Sequence, residues 1–123
     1  MRIGSITAGT ITSSNSTGLI PAIPVGSSGP LTADQCKGQV VYSTGANTHA
    51  LPAPVVGLSV TIDAVTAAIQ TINPGTGKRI ILDGVAKAPG ATLVSDGTVG
   101  ALVTLHADST SGWTVVGKNK TWT

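Results

Sequence analysis

The stretch Leu58-Ser59-Val60-Thr61-Ile62-Asp63 alternates strictly between apolar and polar residues. A period of two places Leu58, Val60 and Ile62 on one face and Ser59, Thr61 and Asp63 on the other, the pattern of a strand with one buried side. Downstream, Ala64 to Gln70 has the composition of a short helix, but the β signals on both sides favour a strand, a corner at Ala67-Ala68 and a second strand ending at Ile72. Asn73-Pro74-Gly75-Thr76-Gly77 is a turn, and Arg79-Ile80-Ile81-Leu82 is a strand beyond it. Asp83-Gly84 and Asp96-Gly97 signal further tight turns. Residues 99–108 predict a long strand with Val99, Ala101, Val103 and Leu105 on one face. Trp113-Thr114-Val115-Val116 returns beside it, and the chain closes on Thr121-Trp122-Thr123.

Upstream of the opening stretch, Gln39-Val40-Val41-Tyr42-Ser43 reads as a strand followed by a turn at residues 44–47. A short segment from Thr48 to Leu51 ends at Pro52-Ala53-Pro54, which must lie at an edge or in a loop because proline gives a sheet no amide. Leu31 to Gly38 has the marks of one helical turn, with Thr32 as cap, Gln35 three residues on and Gly38 as terminator. Strands spaced roughly eight to twelve residues apart point to a sandwich, a jelly roll or a barrel. The expected fold is therefore all-β: a β-sandwich or jelly-roll-like barrel of short antiparallel strands. No internal repeat is evident in the sequence.

Composition agrees. Only 10% of the 123 residues are charged and 41% are apolar, which excludes a solvated disordered tail and a charged helical bundle. Serine and threonine supply almost a quarter of the chain, beside many valines and isoleucines, a mixture that suits short strands and turns. With two Trp, one Tyr and no Phe, the core must be built from Val, Ile, Leu and Ala. Such residues bury less area each than aromatic rings, so symmetric neighbours are expected to complete the burial. The net charge is +2, and the seven basic residues are scattered rather than clustered, which argues against nucleic acid as a partner. The longest apolar stretch, Leu19 to Val25, is broken by Pro21 and Pro24 and is too short to span a membrane. With one cysteine and no readable signal peptide, the chain is expected to be soluble and made in a reducing cytoplasm.

The chemistry-bearing residues do not assemble into a motif. Gly75-Thr76-Gly77-Lys78 lacks the first glycine of a phosphate-binding loop, since position 72 is Ile, and the Ser or Thr after the lysine, since position 79 is Arg. Gly26-Ser27-Ser28-Gly29 lacks the spacing of a hydrolase elbow. His49 and His106 are far apart, and Cys36 has no partner at metal-ligand spacing, so no metal site is expected. The chain contains no Glu, and its five Asp are single and mostly in turns, which leaves no carboxylate pair for acid–base work. No catalytic residue, cofactor or metal is expected.

Residues 1–30 differ from the body at 31–123. They are rich in Ser, Thr, Gly and Pro, with too little apolar surface for a core of their own. They read as an extended N-terminal arm, because proline also biases its predecessor away from the helix. Ile3, Ile6, Ile11, Leu19, Ile20 and Ile23 would be wasted in solvent, so the arm is expected to dock on a neighbour. Trp122, one residue from the C-terminal Thr123, is the further candidate for an interface, whereas Trp113 shares a face with Val115 and is expected in the core.

The body resembles a small β-module that recurs in tailed-bacteriophage virion proteins, including capsid decoration (cement) proteins and tail-fibre-type attachments. The matching residues are Leu31-Thr32-Ala33-Asp34-Gln35 with Gly38, Leu51-Pro52-Ala53-Pro54 with Gly57, Ile72-Asn73-Pro74-Gly75 with Gly77 and Ile80, and Val103-Thr104-Leu105. Gly112-Trp113-Thr114-Val115-Val116-Gly117, leading to Thr121-Trp122-Thr123, is the most specific part. Lys120 stands where similar modules often have Gly before the final Thr-Trp. The resemblance implies a non-enzymatic structural protein on the virion capsid surface, made in the host cytoplasm. It implies a homotrimer bound to the major capsid protein, with a tail-fibre, spike or baseplate role in host attachment as the alternative.

Overall fold

The structure is a computed structural model that describes the backbone of residues 22–25 and the whole of residues 29–123. Ile3, Ile6, Ile11, Leu19 and Ile20 lie outside the described residues, and Ile23 is described by its backbone only. In chain order the strands are β1 (Ala22–Val25), β2 (Gly29–Pro30), β3 (Lys37–Ser43), β4 (Asn47–Ala50), β5 (Ser59–Ala64) and β6 (Gln70–Asn73). They continue with β7 (Arg79–Leu82), β8 (Val85–Ala86), β9 (Leu93–Val94), β10 (Leu102–Ser109) and β11 (Gly112–Lys118). Among the described residues two sheets result, a seven-stranded one ordered β1-β3-β5-β10-β11-β7-β8 and a four-stranded one ordered β9-β6-β4-β2. One hydrophobic cluster joins them: Val41, Val60, Ile62, Val103, Leu105, Ile80 and Trp113 from the larger sheet meet Ile72 and Leu93 from the smaller. The fold is an all-β, sandwich-like pair of sheets, and the sheets do not close into a barrel.

Pairing within the sheets is mixed rather than purely antiparallel. β1, β3 and β5 stack in parallel in the larger sheet, as β2, β4 and β6 do in the smaller. The chain reaches this arrangement by crossing from one sheet to the other and back. Each coil contributes one strand to each sheet, and the next coil lies directly on it. Paired positions are roughly 20 residues apart, a period within the range of solenoid repeats. Backbone bonds carry the stack past the small sheet, with Leu31 N donating to Ala50 O and Leu51 N to Asn73 O, both at 2.9 Å. Leu31, Leu51 and Pro74 thus form a buried column at the end of successive coils. Parallel strands usually need a helical crossover; here the strand in the facing sheet serves that purpose.

Beyond the coils, the β10–β11 hairpin lies antiparallel on β5, and β7 pairs in parallel with β11. Ala101, Val103, Leu105 and Ala107 alternate inward as the sequence pattern requires. Val99 departs from that pattern and is 54% exposed, because residues 98–101 form a turn before β10 begins. The expected helical turn is a single 3-10 turn at Asp34–Cys36. Its cap is reciprocal: Gln35 N donates to Thr32 Oγ1 at 3.2 Å and Thr32 N to Gln35 Oε1 at 2.9 Å. Asp83-Gly84 closes the β7–β8 hairpin with φ of 51° and 81°, the left-handed pair that a type I′ turn demands.

Trp122 is 3% exposed and belongs to the chain's own core, which corrects its expected place at an interface. Its partner across the end of the small sheet is Ser95, and its indole N–H donates to Asn119 O at 3.1 Å. Thr123 exchanges both backbone bonds with Val94, so the last three residues extend the sheet edge. Once paired there, the ring lies over the core and has no free face left for a partner. Lys120, in the preceding turn, takes φ 58°, a left-handed conformation that a Cβ makes costly.

Two substitutions test this architecture. A Cβ at Gly112 would overlap the Arg79 carbonyl oxygen across the parallel β11–β7 pair. Gly112→Ala should therefore cost about 1–3 kcal/mol in urea unfolding, and a neutral result would mean that the two strands are not in this register. Lys120→Gly should stabilise the fold by about 0.5–1 kcal/mol through relief of its positive φ, read as a higher urea midpoint.

Candidate functional site

The outward face of the large sheet carries rows of small polar residues fixed by strand register. Ser59 lies opposite His106, His106 opposite Thr114, and Thr114 beside Ile81. Two residues along β5 and β10, Thr61 faces Thr104 with their hydroxyls 2.8 Å apart. The loop before β5 passes the near end of these rows. Val56, Gly57 and Leu58 there, with Ser59, His106 and Val116, line an open groove of about 540 Å³. Exposed valines belong to its lining: Val56 and Val116 are 69% and 52% exposed, and the neighbouring Val55 is also exposed.

Asp108 borders the groove and is clamped. Arg79 offers a two-pronged bond to it, Nη1 to Oδ2 at 3.0 Å and Nη2 to Oδ1 at 3.1 Å. Ser109 Oγ donates to Oδ1, and Thr114 Oγ1 donates to Oδ2. The Arg79 guanidinium, aided by these hydroxyls, holds the Asp108 carboxyl down to about 2 against the cost of its partial burial. A carboxylate engaged on both oxygens and so far below neutral pH acts as a clip between β7, β10 and β11, not as a proton acceptor. No hydrogen bond joins His106 to Ser59 or Asp108 among the described residues, so the three do not form a relay.

A second polar cluster lies inside the molecule. Gln70 Oε1 accepts from Ser43 Oγ at 2.6 Å and faces His49 Nε2 at 2.9 Å. Gln70 Nε2 donates to the carbonyls of Gly45 and Ala68. That arrangement fixes the amide's orientation and places the His49 proton on Nε2, since Oε1 can only accept. Asn47 Nδ2 donates to Ser43 Oγ, and Ser95 Oγ accepts from Gln70 N. Burial pushes the His49 ring below its ordinary pKa, with the Gln70 bond opposing that shift, so it stays neutral. Desolvation likewise pushes the buried Cys36 thiol up to about 11, where it is inert as a nucleophile at neutral pH.

The sequence candidates among the described residues have definite places. Gly75-Thr76-Gly77-Lys78 is the turn between β6 and β7, with Gly75 N bonded to Asn73 Oδ1 and Lys78 Nζ to Thr110 O. Candidate metal ligands stay apart, and no group of three or more His, Cys, Asp or Glu side chains converges among the described residues. The groove with its Arg79–Asp108 border was not anticipated from the sequence, because it joins segments that lie far apart in the chain. The inner cluster had a faint signal, since Asn47 and His49 occupy alternate positions of one short strand.

The clip makes stability depend on acid in a definite direction. Asp108 is depressed from an unperturbed 3.8 to about 2, so its contribution is present above about pH 4 and lost as pH falls through 2. Asp108→Asn should cost about 1–2 kcal/mol at pH 7, allowing for partial solvent screening, and should flatten the loss of stability between about pH 4 and 2. Parallel acid titrations of the two proteins, followed by urea unfolding, provide the measurement; identical slopes would remove the clip from the account.

Comparison with protein-family models, with curated proteins and with solved structures found no match.

Proposed function

We propose that this chain is a non-enzymatic structural protein of a bacteriophage virion, a capsid decoration protein that binds the outer capsid surface and stabilises the head. The observation that carries the reading is the groove face of the large sheet. There, Val56, Leu58 and Val116 line an open depression together with Ser59, Thr114 and His106, while the bordering Asp108 carboxylate is already paired within the chain. Association surfaces combine apolar area with hydroxyl groups and few unpaired charges to desolvate. The phage-module resemblance of residues 31–123 supplies the setting, and a closed homotrimer would repeat the contact and multiply a modest affinity. The shell partner is the major capsid protein of the same virion.

The experiment adds purified protein to shells stripped of it and counts bound copies per shell. Saturable binding is expected, with Val56→Asp/Val116→Asp weakening it about 30-fold or more while circular dichroism stays unchanged. No binding of the unmodified protein to shells, with binding to host cells instead, would replace this reading with the fibre or spike role. Full retention of shell binding by the folded double variant would remove the groove as the contact.

A further inference from the structure

A titratable ring sits inside the corner network. His49 of β4 is fully buried, with Gly29 of β2 and Ile72 of β6 as its register partners on either side. Its Nε2 proton goes to Gln70 Oε1 at 2.9 Å. The amide nitrogen of Gln70 is committed to the carbonyls of Gly45 and Ala68, so this amide cannot turn to present a donor instead. The other ring nitrogen, Nδ1, is buried and has no hydrogen-bond partner. A neutral ring leaves only an idle lone pair there. A proton on Nδ1 would place a donor without an acceptor and a charge without a counter-ion at one buried point.

We propose that His49 is an acid-sensitive latch of this fold: as pH falls below about 6.5, uptake of a proton by its ring releases the corners that Gln70 ties together.

The surroundings hold no charge that would rescue the cation. β2, β6 and β9 contain no ionisable side chain. In β3 the ionisable groups are Lys37, exposed and paired with Asp34 at 2.8 Å, and Tyr42, which is also exposed. The Cys36 thiol just before β3 is neutral. Asp63 of β5 lies between the buried Ile62 and Ala64 and so belongs to the outward face, beside Tyr42. Arg79 of β7 and Asp108 of β10 bond to each other on that outward face, where His106 also lies. Asp96, next to Ser95, is exposed and accepts from the amides of Thr98 and Thr121. Burial lowers the His49 pKa and the Gln70 bond opposes the shift, with no charged neighbour contributing.

The direction of the effect follows. An unfolded chain takes up this proton at the ordinary histidine value of about 6.5, whereas the folded corner resists it. The contribution of neutral His49 is complete above that pH and is lost as pH falls below it, by at most about tenfold in the unfolding constant per pH unit. This window is separate from that of the Asp108 clip, which is lost as pH falls through 2. The bonds at stake join four strands or their flanks: Ser43 of β3, Asn47 of β4, Gln70 of β6 and Ser95 beside β9. The inference is independent of the decoration role, since it concerns the interior and not the groove.

Urea unfolding at pH 7.5 and 5.5 tests it. The unfolding constant should rise several-fold at the lower pH, toward a linkage limit of about tenfold, and the rise should be absent in His49→Gln, whose amide keeps a donor for Gln70 but takes up no proton. Two measurements leave His49 in place and decide the matter if that variant does not fold. In His106→Asn, nitrogen NMR of the remaining imidazole should show the proton on Nε2 and a titration midpoint below about 6.5. Hydrogen exchange of the native protein, corrected for its intrinsic pH dependence, should show the amides of Val65, Gln70 and Ser95 losing protection several-fold between the two pH values. A midpoint at or above the ordinary value would overturn the proposal. So would unchanged protection at those amides, or an equal acid response of the native protein and a folded His49→Gln.

Discussion

Everything in the coiled half of this fold depends on satisfying backbone groups where the chain turns through the interior from one sheet to the other. At those corners the carbonyls of Gly45 and Ala68 face inward, where no ladder partner reaches them. The Gln70 amide meets both, while its oxygen takes the Ser43 hydroxyl and the His49 N–H. One side chain thus ties the corner of one coil to the corner of the next. An apolar residue there would strand several buried polar groups, each costing about 1–3 kcal/mol. The polar cluster is therefore a requirement of the topology rather than a site in search of a substrate. His49 is neutral for the same reason: a charge inside this corner would have no counter-ion.

That constraint also explains what the sequence reveals and what it hides. Alternation at residues 58–63 reads directly as β5, and the Thr32–Gln35 pairing and the Asp83-Gly84 hairpin turn are legible because each is a local rule. Strand direction is not. A period of two is the same for a parallel and an antiparallel strand, so the coils look like antiparallel hairpins from the sequence. The repeat is equally concealed. Its spacing drifts between 18 and 23 residues, and the inward columns change chemistry from Ser43 to Ala64 and from His49 to Ile72. The positions are equivalent in space while the side chains are not, because the corner network claims some of them.

The two tryptophans show the same limit from another side. Trp113 follows the strand alternation into the core, whereas the position of Trp122 is set by a remote pairing between Ser95 and the C-terminal residues. Nearness to a chain end suggested exposure, but a short terminal strand stitched to β9 carries its ring inward. Lys120 is the cost of that stitch. The turn before Trp122 requires a left-handed residue, and the departure from Gly seen in the sequence falls at the position that takes it.

The structure also separates two kinds of surface. On the coil side, Pro24 in β1 and Pro30 in β2 each lack the backbone amide that a strand otherwise offers a neighbour. On the far side, Gly112 lets β7 approach β11 closely enough to pair in parallel, and Arg79 at the head of β7 reaches Asp108. That ion pair neutralises Asp108, the only carboxylate bordering the groove among the described residues. Because the clip consumes it, the groove offers valine methyls, which gain from excluding water, beside hydroxyls that carry no charge to desolvate. A surface of that kind suits a contact whose burial strands no charge.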